Sequence, residues 1–123
     1  MSTPMPKELR VPDAFDVPNP TIIRARELIQ LLRASTGPEP ALDRQIAQLY
    51  LVHPMAFTQF IDDAKRLVPK YYQIGFRQYK DGSWGAYVEV NATEKQGFIW
   101  ANHKCEPHAL LIATLEVRIA EMT

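Results

Sequence analysis

The sequence has little cysteine, no excess of charge and no long apolar run, and each absence excludes a class of protein. The single Cys105 cannot form an internal disulfide, so a reducing compartment is expected. Fourteen basic residues balance fourteen acidic ones, which removes the broad positive surface typical of DNA-binding domains. No apolar run approaches the roughly 18 residues of a membrane span, and residues 1–10 lack the apolar core of a secretory signal. We therefore expect a cytoplasmic protein that binds neither DNA nor membrane.

Motifs that would indicate an enzyme or a metalloprotein are also missing. The chain has no Gly-x-x-x-x-Gly-Lys phosphate loop, no Gly-x-Ser-x-Gly elbow and no His-x-Glu with Pro-Cys-x-x-Cys deaminase pair. His103, Cys105 and His108 match no zinc spacing, and three residues around a helix start cannot supply four ligands. Adjacent Asp62 and Asp63 diverge by about 100° on a helix, so they cannot act as an acid–base pair. A non-enzymatic protein without metal or cofactor is expected.

The composition predicts one globular domain behind an extended arm. At 123 residues, with 46% hydrophobic and 23% charged residues, the chain is long enough to bury one core. Five of the ten prolines fall in residues 1–20 and disfavour a helix there. We assign residues 1–19 to a proline-rich arm and residues 20–123 to a single domain.

Capping residues and apolar spacing predict three helices in the first half of the domain. Asn19 as N-cap, Pro20 at the first helical position and Gly37 as the stop place the first helix at about residues 20–36. A short second helix follows Pro40 and ends before His53-Pro54. Thr58 is expected to cap a third helix, which ends at Pro69.

From Lys70 onward the apolar period changes to two, which indicates a β-hairpin. A three-residue loop, Lys80-Asp81-Gly82, with Gly82 in the left-handed region, pairs Tyr79 with Ser83. Phe76 then lies opposite Ala86, and Ile74 opposite Val88. A two-residue turn would mix apolar and charged positions, so the three-residue loop is preferred.

A third strand over Gly97–His103, with Phe98, Ile99 and Trp100 as its apolar centre, precedes a final helix from Pro107 to about Met122. That helix is apolar around much of its circumference and should be the most buried. Helices followed by strands and one closing helix predict an α+β fold: a three-stranded antiparallel sheet packed with three or four helices, as a helix–sheet–helix sandwich that a partner subunit could complete.

Three segments resemble the phage ABA-sandwich proteins over about residues 41–120. They are Ala41-Leu42-Asp43, the Phe57–Pro69 stretch with its Ile-Asp-x-Ala-x-x-Leu-Val order, and the Glu106-Pro107-His108-Ala109-Leu110 start of the last helix. The sequence departs from the family pattern at Glu106, where a capping Thr is usual, and at Phe60, where a small polar residue is usual. In size, element order and aromatic hairpin the chain also looks like the Thoeris anti-defence sponges. This resemblance implies a non-enzymatic phage or prophage protein in the host bacterial cytoplasm, which sequesters a cyclic nucleotide-type immune signal, of the cyclic ADP-ribose or cyclic oligonucleotide class.

Such a protein needs an aromatic ring to stack on a base and donors for phosphates. The residues that we expect to supply them are Arg24, Arg77, Trp84, Tyr87, Asn91 and His108. Arg77 opposite Gly85, and Tyr87 opposite Gly75, would each face a gap that a flat ligand could fill. Trp84 would stack on the base and Asn91 would read its edge, while His108 at a helix start, with Lys104 close by, would hold phosphate.

Each residue also has an ordinary structural interpretation. Arg77 and Tyr87 could stack on each other, Trp84 could close the hairpin, Asn91 could end a strand, and Arg24 or His108 could simply face solvent. The alternative function is a protein-interaction module that inhibits or assembles with a host or phage protein through the arm and the first helix. A homodimer or larger assembly is expected, because helices on one face of the sheet would leave the Tyr87 face open.

Overall fold

The computed structural model describes residues 19–92 and 95–123; of residues 91, 92, 95 and 96 it describes only the backbone. Most of the predicted arm, residues 1–18, thus lies outside the described residues. The elements in chain order are α1 (Pro20–Ala34), α2 (Pro40–Tyr50), α3 (Ile61–Lys65), β1 (Ile74–Gln78), β2 (Trp84–Ala92), β3 (Lys95–His103) and α4 (Glu106–Met122). The sheet order is β1-β2-β3 and both pairs are antiparallel. The predicted α+β class and three-stranded sheet are confirmed.

Helix α4 is the centre of the packing. It lies on β2 and β3 with one side and against α1 and α3 with others. Ten of its seventeen residues are buried, which confirms the expectation from its apolar circumference. The layers therefore run from the sheet through α4 to α1, with α2 packed on α1. Among the described residues, no helix is long and apolar enough to cross a membrane.

The start of α1 is as predicted, whereas its end is not. The Asn19 side chain accepts a hydrogen bond from the Thr21 N–H at 2.9 Å, and Pro20 occupies the first helical position. The helix ends at Ala34, with Ser35 in extended conformation as the C-cap. The Ser35 hydroxyl donates to the Gly37 carbonyl at 3.0 Å. A capping serine, and not a left-handed glycine, ends this helix.

The prediction that Thr58 caps the third helix is wrong. Phe60 is the N-cap of α3 and makes no side-chain capping bond. Thr58 instead serves α2, because its hydroxyl accepts from the Glu39 N–H at 2.8 Å and its own N–H donates to Asp43 Oδ1 at 2.8 Å. Both Asp43 and Thr58 are buried, and the bond between them gives a partner to the Thr58 N–H and to the Asp43 carboxylate. This pair fixes the α2–α3 connection on the start of α2.

The predicted hairpin register is confirmed at every position. Ile74 pairs with Val88, and Phe76 with Ala86. The Tyr79 N–H donates to the Ser83 carbonyl at 2.9 Å, and Gly82 has φ +88°, as the three-residue loop requires. Ala86, Val88 and Val90 are consequently buried against α4, while the alternate residues face away from it.

Candidate functional site

The face of the sheet turned away from α4 is the candidate site; we call it the open face. The strand register places three full rows of three residues on this face, and the Asn91–Gln96 pair continues it beyond the first row. The rows are Gln73, Glu89 and Phe98; Gly75, Tyr87 and Trp100; and Arg77, Gly85 and Asn102. No described helix packs on this face.

An aromatic row occupies the middle of the open face. The ring of Tyr87 lies 5.0 Å from that of Phe98, edge-on, and 4.8 Å from that of Trp100. These are favourable separations for aromatic pairs. Phe98 keeps 49% of its surface exposed and Trp100 keeps 52%. Three contiguous rings, two of them half-exposed, form the main apolar surface of this face.

The gaps that the two glycines leave are filled by the chain's own tyrosines. A Cβ added to Gly75 would lie 2.1 Å from Cε2 of Tyr87, so the Tyr87 ring covers that glycine. A Cβ added to Gly85 would lie 2.9 Å from Oη of Tyr79, whose hydroxyl also donates to Asn102 Oδ1 at 3.3 Å. The expectation that a guest could enter these gaps is therefore wrong for a single chain, because both are occupied.

Arg77 supplies the positive charge of the open face. Its guanidinium carbon lies 5.5 Å from the centre of the Tyr79 ring, and the side chain is exposed. The alternative that Arg77 stacks on Tyr87 is thus not what the structure shows, because Tyr79 takes the guanidinium. Glu89 provides a negative charge two rows away. The two ends of the open face therefore carry charges of opposite sign.

Trp84 does not join Arg77 and Tyr87. It lies on the same side of β2 as Ala86 and Val88, and it packs partly buried against the core. Because side chains alternate along a strand, Trp84 and Tyr87 face opposite ways. The role of Trp84 in stacking on a base is therefore incompatible with a site on the open face.

Arg24 lies two layers away from the open face. It sits on α1, pairs with Glu27 Oε2 at 3.0 Å and donates to the Gln45 side chain of α2. These contacts join α1 to α2. The expectation that Arg24 holds phosphate in the same site as Arg77 is not met, because α4 lies between α1 and the sheet.

His108 cannot form the predicted phosphate seat, since its side chain is fully buried. Its Nε2 lies 3.0 Å from Ser35 Oγ, and its ring stacks on that of His103 with centres 4.6 Å apart. Burial lowers the pKa of His108 to about 4, with a further lowering by His103. The ring is neutral at pH 7, and a neutral buried ring does not attract an anion.

The last predicted residue, Asn91, lies in β2 and pairs with Gln96. Its side chain is outside the described part of the molecule. Of the six predicted residues, Arg77 and Tyr87 lie together on the open face, and the register places the backbone position of Asn91 on the same side of β2.

Sequence reasoning missed the two half-exposed rings of the site, Phe98 and Trp100. The apolar run in the sequence predicts both as part of the apolar centre of β3, together with Ile99. The alternation along the strand contained the signal, because Ile99 pairs with buried Val88 and must face the core. Phe98 and Trp100, one residue to either side, then face the opposite way.

Among the described strands, β3 forms an edge of the sheet with no strand on its outer side, and this free edge adjoins the aromatic row. The Tyr79 N–H donates to the Ser83 carbonyl, and the Glu89 N–H donates to the Gln73 carbonyl. The backbone N–H and C=O groups of odd-numbered residues in β2 therefore point toward β1, and those of even-numbered residues point toward β3. The backbone groups of Phe98, Trp100 and Asn102 therefore point outward, away from β2. A hollow of about 350 Å³ lies along this edge, and its lining includes Arg33 and Glu116, which form an ion pair at 3.6 Å.

Substituting Gly75 by alanine tests the packing of the aromatic row. We expect a loss of about 1–3 kcal/mol in the free energy of unfolding, because the new Cβ must push Tyr87 off its neighbours. In urea unfolding, adding Tyr87→Ala to Gly75→Ala should cost less than the sum of the two single changes. Gly37→Ala is the matched control, since nothing lies within 4 Å of that Cβ. Additive costs would contradict the described contact.

The fold and the open face define an α+β protein with an aromatic sheet surface on which none of the described helices packs. Compared with known proteins, the chain matches no family model, no curated protein and no solved structure.

Proposed function

We propose that this protein is a non-enzymatic binding protein that sequesters a flat, anionic ligand of the nucleotide class against its open face. A cyclic nucleotide-type bacterial immune signal is the ligand that the resemblance to phage sponge proteins implies. The observation that carries the proposal is the half-exposed Trp100 ring beside Tyr87 and Phe98. Exposed rings on a sheet can stack on the face of a base, and this stacking does not depend on which base it is.

The size of the open face favours a small ligand. Three strands about 4.8 Å apart, over five residues at about 3.3 Å each, give a projected area of roughly 250 Å². A stable protein interface buries about 800 Å² on each partner. A single base and its ribose fit on a surface of this size.

The charges of the face set the orientation of the ligand. Arg77 is two strands and two residues from Trp100, which is a Cα separation of about 12 Å. A long arginine side chain can span part of that distance and reach the phosphate of a ligand whose base lies on Trp100. Glu89 repels phosphate at the other end. We therefore assign the base to the Trp100 side and the phosphate to the Arg77 side.

A second copy of the chain completes the proposed site. One open face cannot enclose a ligand, because its glycine gaps are filled and both half-exposed rings are open to water. Tight sequestration requires water to be excluded from the polar contacts. Two copies that close over the ligand would supply this enclosure, so sedimentation should show a dimer that the ligand stabilises.

The experiment is a titration of the purified protein with cyclic ADP-ribose isomers and cyclic di- and trinucleotides. Binding is monitored by tryptophan fluorescence. A Trp84→Phe background leaves Trp100 as the only tryptophan, and a base stacked on it should quench its emission. Heating the complex should then release the ligand intact. Absence of binding across these ligands contradicts the proposal, and a degraded ligand would show an enzyme.

Trp100→Ala is expected to weaken ligand binding by about 10- to 100-fold, because one stacking contact contributes about 1–3 kcal/mol. Isothermal calorimetry measures the change. Phe60→Ala is the matched control: Phe60 is an aromatic residue of similar exposure, 53%, that lies at the start of α3 and away from the open face. Equal losses in the two variants would show that the aromatic row is not the site.

The free edge of β3 favours a second candidate, a protein-interaction module. The outward backbone groups of Phe98, Trp100 and Asn102 could pair with an extended strand of a host or phage protein. The edge differs from the surface that the sequence suggested, which was the arm and α1. A protein that binds none of the nucleotides, and whose β3 amides become protected from hydrogen exchange by a protein partner, would support this candidate instead.

A further inference from the structure

A cluster of three metal-ligand side chains lies at the corner between β3 and α4. His103 is the last residue of β3, Cys105 is the N-cap of α4, and His108 lies in its first turn. Each offers one donor atom, a ring nitrogen or the thiol sulfur, and these atoms all lie within 4.8 Å of one another. The sequence spacing matches no known zinc pattern, but the tight corner brings the three together.

His108 carries an unsatisfied nitrogen in this cluster. The Ser35 hydroxyl has one hydrogen, which it donates to the Gly37 carbonyl at 3.0 Å. With its hydrogen on Gly37, Ser35 Oγ accepts from His108 Nε2–H, 3.0 Å away, which corresponds to the Nε2–H tautomer of the ring. The neutral ring then presents a bare lone pair at Nδ1, a buried atom for which the described residues provide no partner. A buried polar atom without a partner needs an explanation, and an ion is one of the standard ones.

We propose that His103, Cys105 and His108 bind one soft transition-metal ion of the Zn²⁺ type, with water in the remaining position. Two imidazoles and one thiolate are donors that such ions prefer over Mg²⁺ or Ca²⁺. Ser35 is the positioning residue, because its bond to Nε2 fixes the tautomer of His108, as carbonyl and carboxylate groups do in other zinc sites. This inference goes beyond the proposed function and is independent of it.

Binding requires the donor atoms to move closer together, and the Cys105 thiol to give up its contact with the Thr36 carbonyl at 3.5 Å. Ligands of tetrahedral zinc lie about 3.5 Å apart, so donor atoms within 4.8 Å must close in by about 1 Å. His103 is stacked on His108, with rings only 19° from parallel, and its Nδ1 accepts from the Cys105 N–H at 2.9 Å. The His103 ring is half-buried and turns toward the ion, while water takes over the Cys105 N–H.

The probe for this site is Co²⁺, added to the full chain after treatment with a chelator and under reducing, oxygen-free conditions. One equivalent should bind and give an absorption band for charge transfer from thiolate to cobalt, and Zn²⁺ should abolish the band by displacement. Cys105→Ser should remove the band, and His103→Ala should weaken binding by about 10-fold or more. Neither change alters a fully buried side chain, so both variants should fold.

His53→Ala is the matched control, because His53 is an exposed histidine outside the cluster. It should leave the band and the affinity unchanged. The proposal is overturned if Co²⁺ does not bind at micromolar concentration, if it binds without a sulfur band, or if His53→Ala weakens binding as much as His103→Ala. The titration contains no nucleotide, so its failure would leave the proposed function intact.

Discussion

Phe57→Ala is expected to lower the free energy of unfolding by about 3–5 kcal/mol, a large part of the stability of a domain of this size. Phe57 is among the largest fully buried side chains of the protein, with 1% of its surface exposed, although it lies outside any helix or strand. It anchors the α2–α3 connection in the core. Its truncation leaves a cavity that the neighbouring helices cannot close without losing their own packing.

Phe60→Ala is the matched control for this change, three residues further along the same connection. Phe60 is 53% exposed, and its truncation should alter stability by about 0.5 kcal/mol or less. Urea unfolding followed by fluorescence measures both variants. If Phe57→Ala cost no more than Phe60→Ala, the connection would not be anchored as described.

The second large effect is a loss of stability in mild acid that depends on His108. A histidine normally titrates near 6.5, whereas burial, with a smaller contribution from stacked His103, lowers the pKa of His108 to about 4. The backbone of Gly37 and the charge of Asp43 act in the opposite direction on this pKa. The unfolded chain therefore binds a proton that the folded chain does not accept until about pH 4. The contribution is present above pH 6.5 and is lost as the pH falls from 6.5 to 4.

The size of this contribution is on the order of 3 kcal/mol, since one pKa unit corresponds to about 1.4 kcal/mol. Urea unfolding between pH 7.5 and 4, in the presence of a chelator, should show a steep decline that is much weaker in His108→Gln. His53→Gln should retain the decline. A direct NMR titration of the ring gives the same answer if His108→Gln fails to fold, and a pKa near 6.5 would contradict the prediction.

Local signals were sufficient for the sheet. The Lys80-Asp81-Gly82 loop and the strict alternation from Ile74 to Val90 left one register that keeps the apolar residues on one face, and the structure has that register. The apolar circumference of α4 likewise predicted its burial. These elements were predictable because turn chemistry and periodicity act between neighbours in the sequence.

The ends of helices and the candidate site were less predictable, because they depend on contacts between distant residues. Thr58 looked like the cap of α3, yet it bonds Glu39, nineteen positions earlier. His108 looked like an exposed helix start, yet Ser35, 73 positions earlier, covers it. Nothing in the sequence near either residue records its partner.

The sequence by itself determined which residues alternate and which turns close, and hence the fold class, the hairpin register and the burial of α4. Only the tertiary structure decided that the gaps beside Gly75 and Gly85 are filled by Tyr87 and Tyr79, that Arg77 lies over Tyr79, and that His103, Cys105 and His108 meet at one corner. The reason is physical: periodicity fixes the direction of a side chain relative to its own element, whereas its neighbours are set by how separate elements pack.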